Sequence, residues 1–119
     1  MQIDHFPDSS RYEPHTNDTF KQRYFFDDTY YKPGGPVFLY IGGEVSGESR
    51  FDNLETGIIQ ILMSEFNGLG VILENRYYGE SLPTGNSSTT DDLAYLTNEQ
   101  SERTAPSLCR MARLTWNQR

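Results

Sequence analysis

Two stretches of this chain combine residue types that could do chemistry. Gly42-Gly43-Glu44 comes directly after the apolar run Pro36-Val37-Phe38-Leu39-Tyr40-Ile41. Glu74-Asn75-Arg76-Tyr77-Tyr78-Gly79-Glu80-Ser81-Leu82-Pro83 follows a second apolar run, Gly70-Val71-Ile72-Leu73. In an open α/β sheet, ligands sit just beyond the carboxyl ends of the strands, so both junctions are candidate functional loops. Glycines at such a junction let the backbone approach a substrate with no Cβ in the way. In acyl transfer, a loop of this kind supplies a backbone N–H to a tetrahedral oxyanion. Spacing alone favours a plain strand-ending turn over that role. In the second stretch, Arg76 presents five donors in a fixed fork that suits a carboxylate, and an internal pair with Glu44 or Glu80 is expected. Glu74, Arg76, Tyr77 and Tyr78 are candidates for support of an active site. The two tyrosines fit an ordinary core as well.

A nucleophile is harder to find. The G-x-S-x-G elbow exposes a serine at a strand-to-helix turn. Gly79-Glu80-Ser81-Leu82-Pro83 misses it by its closing Pro83, and Gly47-Glu48-Ser49-Arg50-Phe51 by Phe51. In α/β hydrolases the triad runs Ser, then Asp or Glu, then His along the chain. The two histidines, His5 and His15, precede both of those serines, so no catalytic triad is expected and no residue is assigned as catalytic. Cys109 is the single cysteine, has no histidine after it, and excludes an internal disulfide. The scattered His and Cys residues lack metal-ligand spacing. Gly34-Gly35 precedes a strand, the wrong order for a phosphate-binding loop. No cofactor is expected.

The elements that position these loops read as follows. Residues 1–18 form a polar lead-in segment. Residues 19–27 alternate, with Phe20, Gln22, Tyr24 and Phe26 on one face, and predict a strand near a sheet edge. Pro33-Gly34-Gly35-Pro36 marks a turn, and residues 37–41 a short buried strand. Asp52 as N-cap with Glu55 three residues on predicts one helix running to the stop at Asn67-Gly68. Leu54, Ile58, Ile61 and Leu62, widened by Met63 and Phe66, would form its apolar face, and Gly57 would weaken it. Residues 70–74 predict a strand and 82–92 a loop. A helix could begin at 91–96, Pro106 would interrupt its continuation, and a short helix could occupy 107–116. Strand, helix, strand is a crossover unit. It cannot bury enough apolar surface by itself and needs a larger sheet with helices on both faces.

Composition narrows the class. A chain of 119 residues suffices for one domain. Hydrophobic content is low at 35%, yet aromatics reach 13%, which argues for a folded body over a disordered one. The net charge of −7 argues against nucleic acid as a partner. No 18-residue apolar run exists to span a membrane, and the N-terminus lacks the features of a signal peptide. Charge is uneven. Residues 1–100 hold six Lys/Arg and sixteen Asp/Glu, whereas residues 101–119 hold four Arg against Glu102 alone. The shift fits a tail of different origin, or an ordinary C-terminal helix with a basic last turn. Asn17-Asp18-Thr19 and Asn86-Ser87-Ser88 match the N-glycosylation acceptor pattern in polar, loop-like stretches.

Taken with Asp4-His5-Phe6 and Thr19-Phe20-Lys21-Gln22-Arg23-Tyr24, the two junctions resemble the prolylcarboxypeptidase family of serine exopeptidases, that of lysosomal Pro-X carboxypeptidase and dipeptidyl peptidase II. The resemblance covers about residues 1–100. It implies an incomplete α/β fold, the N-terminal part of an α/β-hydrolase sheet in residues 1–100, followed by a divergent tail in 101–119. It also implies a peptidase acting at prolyl bonds through an acyl-enzyme, with peptides as substrate of the full-length relative, and a secreted or lysosomal/vacuolar location. It turns Gly42, Gly43 and Glu44 into oxyanion or substrate-loop candidates. Asn75 stands where the family pattern has His, and Asn cannot titrate. In the family the nucleophile, Asp and His lie downstream of Tyr95-Leu96-Thr97-Asn98-Glu99-Gln100, where this chain turns to Ser101-Glu102-Arg103-Thr104-Ala105-Pro106. The chain therefore reads as cut at both ends and inactive alone. The alternatives are a truncated non-catalytic product or a secreted binding module. Oligomeric state is not legible.

Overall fold

The computed structural model describes residues 1–13 and 15–116. It is a small mixed α/β structure built on a three-stranded sheet in the order β1-β3-β2, with β1 Tyr24–Asp27, β2 Val37–Ile41 and β3 Leu69–Leu73. β2 and β3 are parallel, with Leu39 opposite Val71. β1 runs antiparallel to β3, with Phe25 opposite Ile72. All five residues of β3 are buried, as suits a central strand whose two faces are both covered. β2 and β1 are the edges.

Side-chain alternation feeds two cores. Leu69, Val71 and Leu73 point to one face and pack with Leu108, Ala112 and Trp116 of α3 (Asn98–Trp116). Ile72 points to the other face and packs with Leu54 of α1 (Asp52–Glu55) and Met63 of α2 (Ile58–Phe66). Phe38 and Tyr40 of β2 pack on that second face, and Val37 and Leu39 on the first. At Gly70 a Cβ would lie 2.1 Å from Met63 Sδ, so only glycine admits α2 this close to the sheet. A third cluster, Ile3, Phe20, Tyr77 and Tyr95, ties the lead-in segment to the segment after β3.

The expected helix from Asp52 to Asn67 is two helices. The chain breaks at Thr56-Gly57, where Gly57 takes φ 96°, a conformation open to glycine and costly for other residues. Asp52 is the first helical residue and not the N-cap; Phe51 holds that place with no side-chain capping bond. The break resets the helical phase and corrects the apolar face. Leu54 and Met63 are fully buried, whereas Ile58, Ile61 and Phe66 are more than half exposed. Asn67 does stop α2, in the left-handed region at φ 52°.

The second correction concerns Pro106. It lies inside α3, which continues through it. Gln100, Thr104, Leu108, Ala112 and Trp116 recur every four residues and are all buried, so packing of one face holds the helix straight through a residue that breaks isolated ones. Glu102, whose carbonyl loses its partner, and Pro106 are both exposed, so water can take the freed group. The sequence boundary expected at residue 100 falls within this helix, and the residues beyond it up to Trp116 supply half of one core. Residues 117–119 of the expected tail lie outside the described residues. The helix that could begin at 91–96 is a set of turns instead.

Candidate functional site

Glu74 is the residue on which the site is built. It follows β3 directly, its side chain is fully buried, and its carboxylate gathers donors from three segments. Oε2 accepts from Arg23 Nη2 at 2.7 Å and from the Gly47 backbone N–H at 2.8 Å. Oε1 accepts from Ser81 Oγ at 2.8 Å and from the Glu80 N–H at 3.0 Å. Burial works to raise this carboxyl, but the Arg23 guanidinium and then the Gly47, Ser81 and Glu80 donors outweigh it and hold it at about 2. The same contact raises the Arg23 pKa. Gly79 closes around the carboxylate at φ 59°, where a Cβ would lie 2.0 Å from Glu74 Oε2.

The structure thus gives Glu74 and Glu80 to Arg23, which approaches Glu80 Oε1 at 3.4 Å. The expected Arg76 pair with Glu44 or Glu80 is replaced by a different arrangement. Arg76 is fully buried and donates to the backbone oxygens of Ile3 at 2.8 Å and Gln2 at 3.3 Å, with its guanidinium over the Phe20 ring. The physical reason is that both residues lie past the end of β3, where the chain turns and strand alternation no longer holds, and the lead-in segment supplies carbonyls to Arg76 where carboxylates were expected. Arg23 was not singled out from the sequence. Its signal was its place in the run from Thr19 to Tyr24 that carries the family resemblance.

Ser81 is buried, donating to Glu74 and accepting from the Arg23 N–H at 2.9 Å. Ser49 is exposed and donates to the Ser46 carbonyl oxygen. Neither meets a histidine among the described residues. His15 Nδ1 instead lies 2.7 Å from Asp4 Oδ2. Burial works to raise the Asp4 carboxyl, but hydrogen bonding with His15, the Phe6 N–H and Gln100 brings it below its ordinary value. Gln100 Nε2 donates to Asp4 at 2.9 Å, and Gln100 Oε1 accepts from the His5 N–H. This links the first and last runs of the resemblance. His5 is shifted down by burial and by the Arg76 charge.

Beyond the carboxyl ends of the parallel strands lies a cleft of about 510 Å³, lined by Glu44, Asn75 and Tyr78 and by Thr97, Asn98 and Ser101 at the start of α3. The two candidate loops therefore meet. Of their residues, Glu44, Asn75 and Tyr78 reach the cleft, whereas Arg76 is buried away from it and Tyr77 belongs to the core around Phe20. Gly42 donates its N–H to the Leu73 carbonyl at 2.8 Å and extends the ladder. The N–H groups of Gly43, at φ 75°, and of Glu44 make no hydrogen bond among the described residues. Arg50 Nε at 3.3 Å from the Gly42 oxygen steadies the turn. Among the described residues no group of three or more His, Cys, Asp or Glu could hold a metal ion, and no helix is long and apolar enough to cross a membrane. Asn17 and Asn86 are exposed.

A parallel strand pair that presents two loops to one cleft beyond its carboxyl ends defines an α/β-type site. The family model for serine carboxypeptidase S28 matches residues 1–104, and the chain belongs to that family. A probable extracellular serine carboxypeptidase of Arthroderma benhamiae is 56% identical over 98 residues, 82% of this chain and 14% of the relative. The lysosomal Pro-X carboxypeptidase of Homo sapiens is 38% identical over 103 residues, 84% of this chain and 19% of the relative. That of Bos taurus is 42% identical over 85 residues, 69% of this chain and 17% of the relative. The chain spans less than a fifth of the length of these relatives.

Proposed function

We propose that the chain is part of the catalytic domain of an α/β-hydrolase-type serine exopeptidase that cleaves peptides at prolyl bonds and is secreted or lysosomal. The observation that carries this reading is the convergence of Glu44 with Asn75 and Tyr78 on one cleft in a chain of the S28 family. In this reading the Gly43 or Glu44 N–H faces the developing oxyanion, since the Gly42 N–H is already bonded. Glu74 and Arg23 position that loop through Gly47, and Tyr78 walls the cleft. Glu44 and Asn75 sit where a peptide backbone would pass. The open edges of β1 and β2 suit a sheet that continues beyond these three strands.

The 119 residues alone are inert in this reading. Acyl-enzyme chemistry needs a serine hydroxyl hydrogen-bonded to a base. Ser81 donates its hydroxyl hydrogen bond to a carboxylate that stays ionised, and that carboxylate is enclosed. The test is an assay of the purified chain with fluorogenic prolyl peptides of both carboxypeptidase and dipeptidyl-peptidase type. No turnover above buffer is expected. Turnover that survives purification and disappears in Ser49→Ala or Ser81→Ala would overturn the inert reading. Ser49→Ala should leave the fold untouched, which separates loss of a nucleophile from loss of structure.

A further inference from the structure

We propose that Asn86 is an acceptor for an N-linked oligosaccharide, and that of the two acceptor sequences in this chain it is the one built for modification. Residues 84–91 form a continuous exposed stretch with no helix or strand, and none of them lines the cleft. A glycan there would stand in solvent without covering the site. The Asn86 side chain is already arranged for the reaction. Its Oδ1 accepts from Ser88 Oγ at 2.7 Å and from the Ser87 N–H at 2.8 Å. Both bonds hold the amide by its oxygen and leave Nδ2, the atom to be modified, with no partner among the described residues. Gly85, at φ 71° with open space where a Cβ would sit, and the Thr84 hydroxyl on the Asn86 carbonyl at 2.7 Å turn the loop tip outward.

Asn17 is exposed as well, but its acceptor sequence is bound into structure. The Asp18 carbonyl accepts from the Ile3 N–H at 3.1 Å, and Thr19 pairs with Gln2 in an isolated antiparallel bridge. The Asp18 carboxylate at its middle position accepts from the Thr16 hydroxyl and adds negative charge beside the acceptor.

The step balances with one co-reactant, a lipid pyrophosphate-linked oligosaccharide. Asn86 Nδ2 forms a bond to the anomeric carbon. The bond from that carbon to the pyrophosphate oxygen breaks, and the lipid pyrophosphate leaves with the electron pair. The amide gives up one proton to solvent or to a base of the transferase. The proposal draws on the secretory location in the reading above, but its test does not depend on peptidase chemistry.

The experiment is expression of the whole chain behind a secretory leader in eukaryotic cells, with intact mass measured before and after treatment with a glycan-releasing amidase. The expected result is a mass excess that the amidase removes and that leaves Asp at position 86. Asn86→Gln and Ser88→Ala should each remove that excess, and Asn17→Gln should leave it. No excess in the parent chain, or an excess that persists in Asn86→Gln and is lost in Asn17→Gln, overturns the proposal. Ser88→Ala keeps Asn86 itself, so its result does not depend on how the loop tolerates glutamine.

Discussion

Glu74 is the residue on which the most depends. Its carboxyl stands at about 2 when folded against an ordinary 4.5. A depressed carboxyl contributes stability that is fully present above its unfolded value and lost as pH falls through the folded one. Unfolding measured by urea at several pH values should therefore show about 3 kcal/mol disappearing between roughly pH 5 and 2. Glu74→Gln should abolish that dependence. It should also cost about 3–5 kcal/mol at neutral pH, because Arg23 would be left beside a neutral amide in a partly buried site. An urea midpoint unchanged by Glu74→Gln would show that the donors around it find water as readily as the carboxylate. Arg23 keeps its side chain a quarter exposed, which places the expected loss toward the lower end of that range.

At the scale of elements, α3 is the informative case. Its buried stripe outweighs the defect at Pro106, so the two contributions should separate by mutation. Pro106→Ala restores the hydrogen bond to Glu102 and removes the ring clash. It should stabilise the chain by about 1–3 kcal/mol, seen as a rise in thermal midpoint with unchanged helical circular dichroism. If the midpoint falls, Pro106 has a packing role beyond its exposed place on the helix. Leu108→Ala removes a side chain that is 2% exposed between α3 and β3. The expected cost is about 2–5 kcal/mol in chemical denaturation. A cost near zero would mean that α3 does not rest on the sheet in solution. On the other face, the Gly57 break leaves Ile58, Ile61 and Phe66 largely in water.

Across the whole molecule, Phe66 packs its ring near Phe38 of β2, an edge strand. β2 has β3 on one side only, carries the uncharged run from Val37 to Ile41, and ends in a half-exposed isoleucine. An uncharged apolar edge strand is a template for another strand. The isolated chain should therefore self-associate as its concentration rises, despite its net charge of −7, and Ile41→Lys should shift it toward monomer in sedimentation velocity. A chain that stays monomeric at high concentration, with or without the lysine, would contradict this. The relatives are several times longer than this chain, and added strands on the β2 edge would cover the same surface.

The sequence by itself determined β2 and, to within one residue, β3, the parallel crossover, the stop at Asn67 and the two loops at the strand ends, because each depends on local periodicity, turn chemistry or composition; of the strand expected over 19–27 only Tyr24–Asp27 forms, since only those residues pair with β3. It also determined the family, through runs spread from Asp4 to Gln100, and the absence of an ordered Ser, Asp, His series in these residues. Only the tertiary structure decided which charges meet. Arg23 and Glu74 are 51 residues apart, and nothing local distinguishes Arg23 from Arg76 as the partner of a carboxylate. The break at Gly57 and the passage of α3 through Pro106 were hidden for the same reason. In both, long-range packing against the sheet outweighs a local preference, favouring burial of Met63 and Leu54 in one and of the 100–116 stripe in the other. The amide left open at Gly43 became visible only when the Leu73 carbonyl was seen to hold Gly42, because a hydrogen bond between strand ends is a fact of register and not of composition.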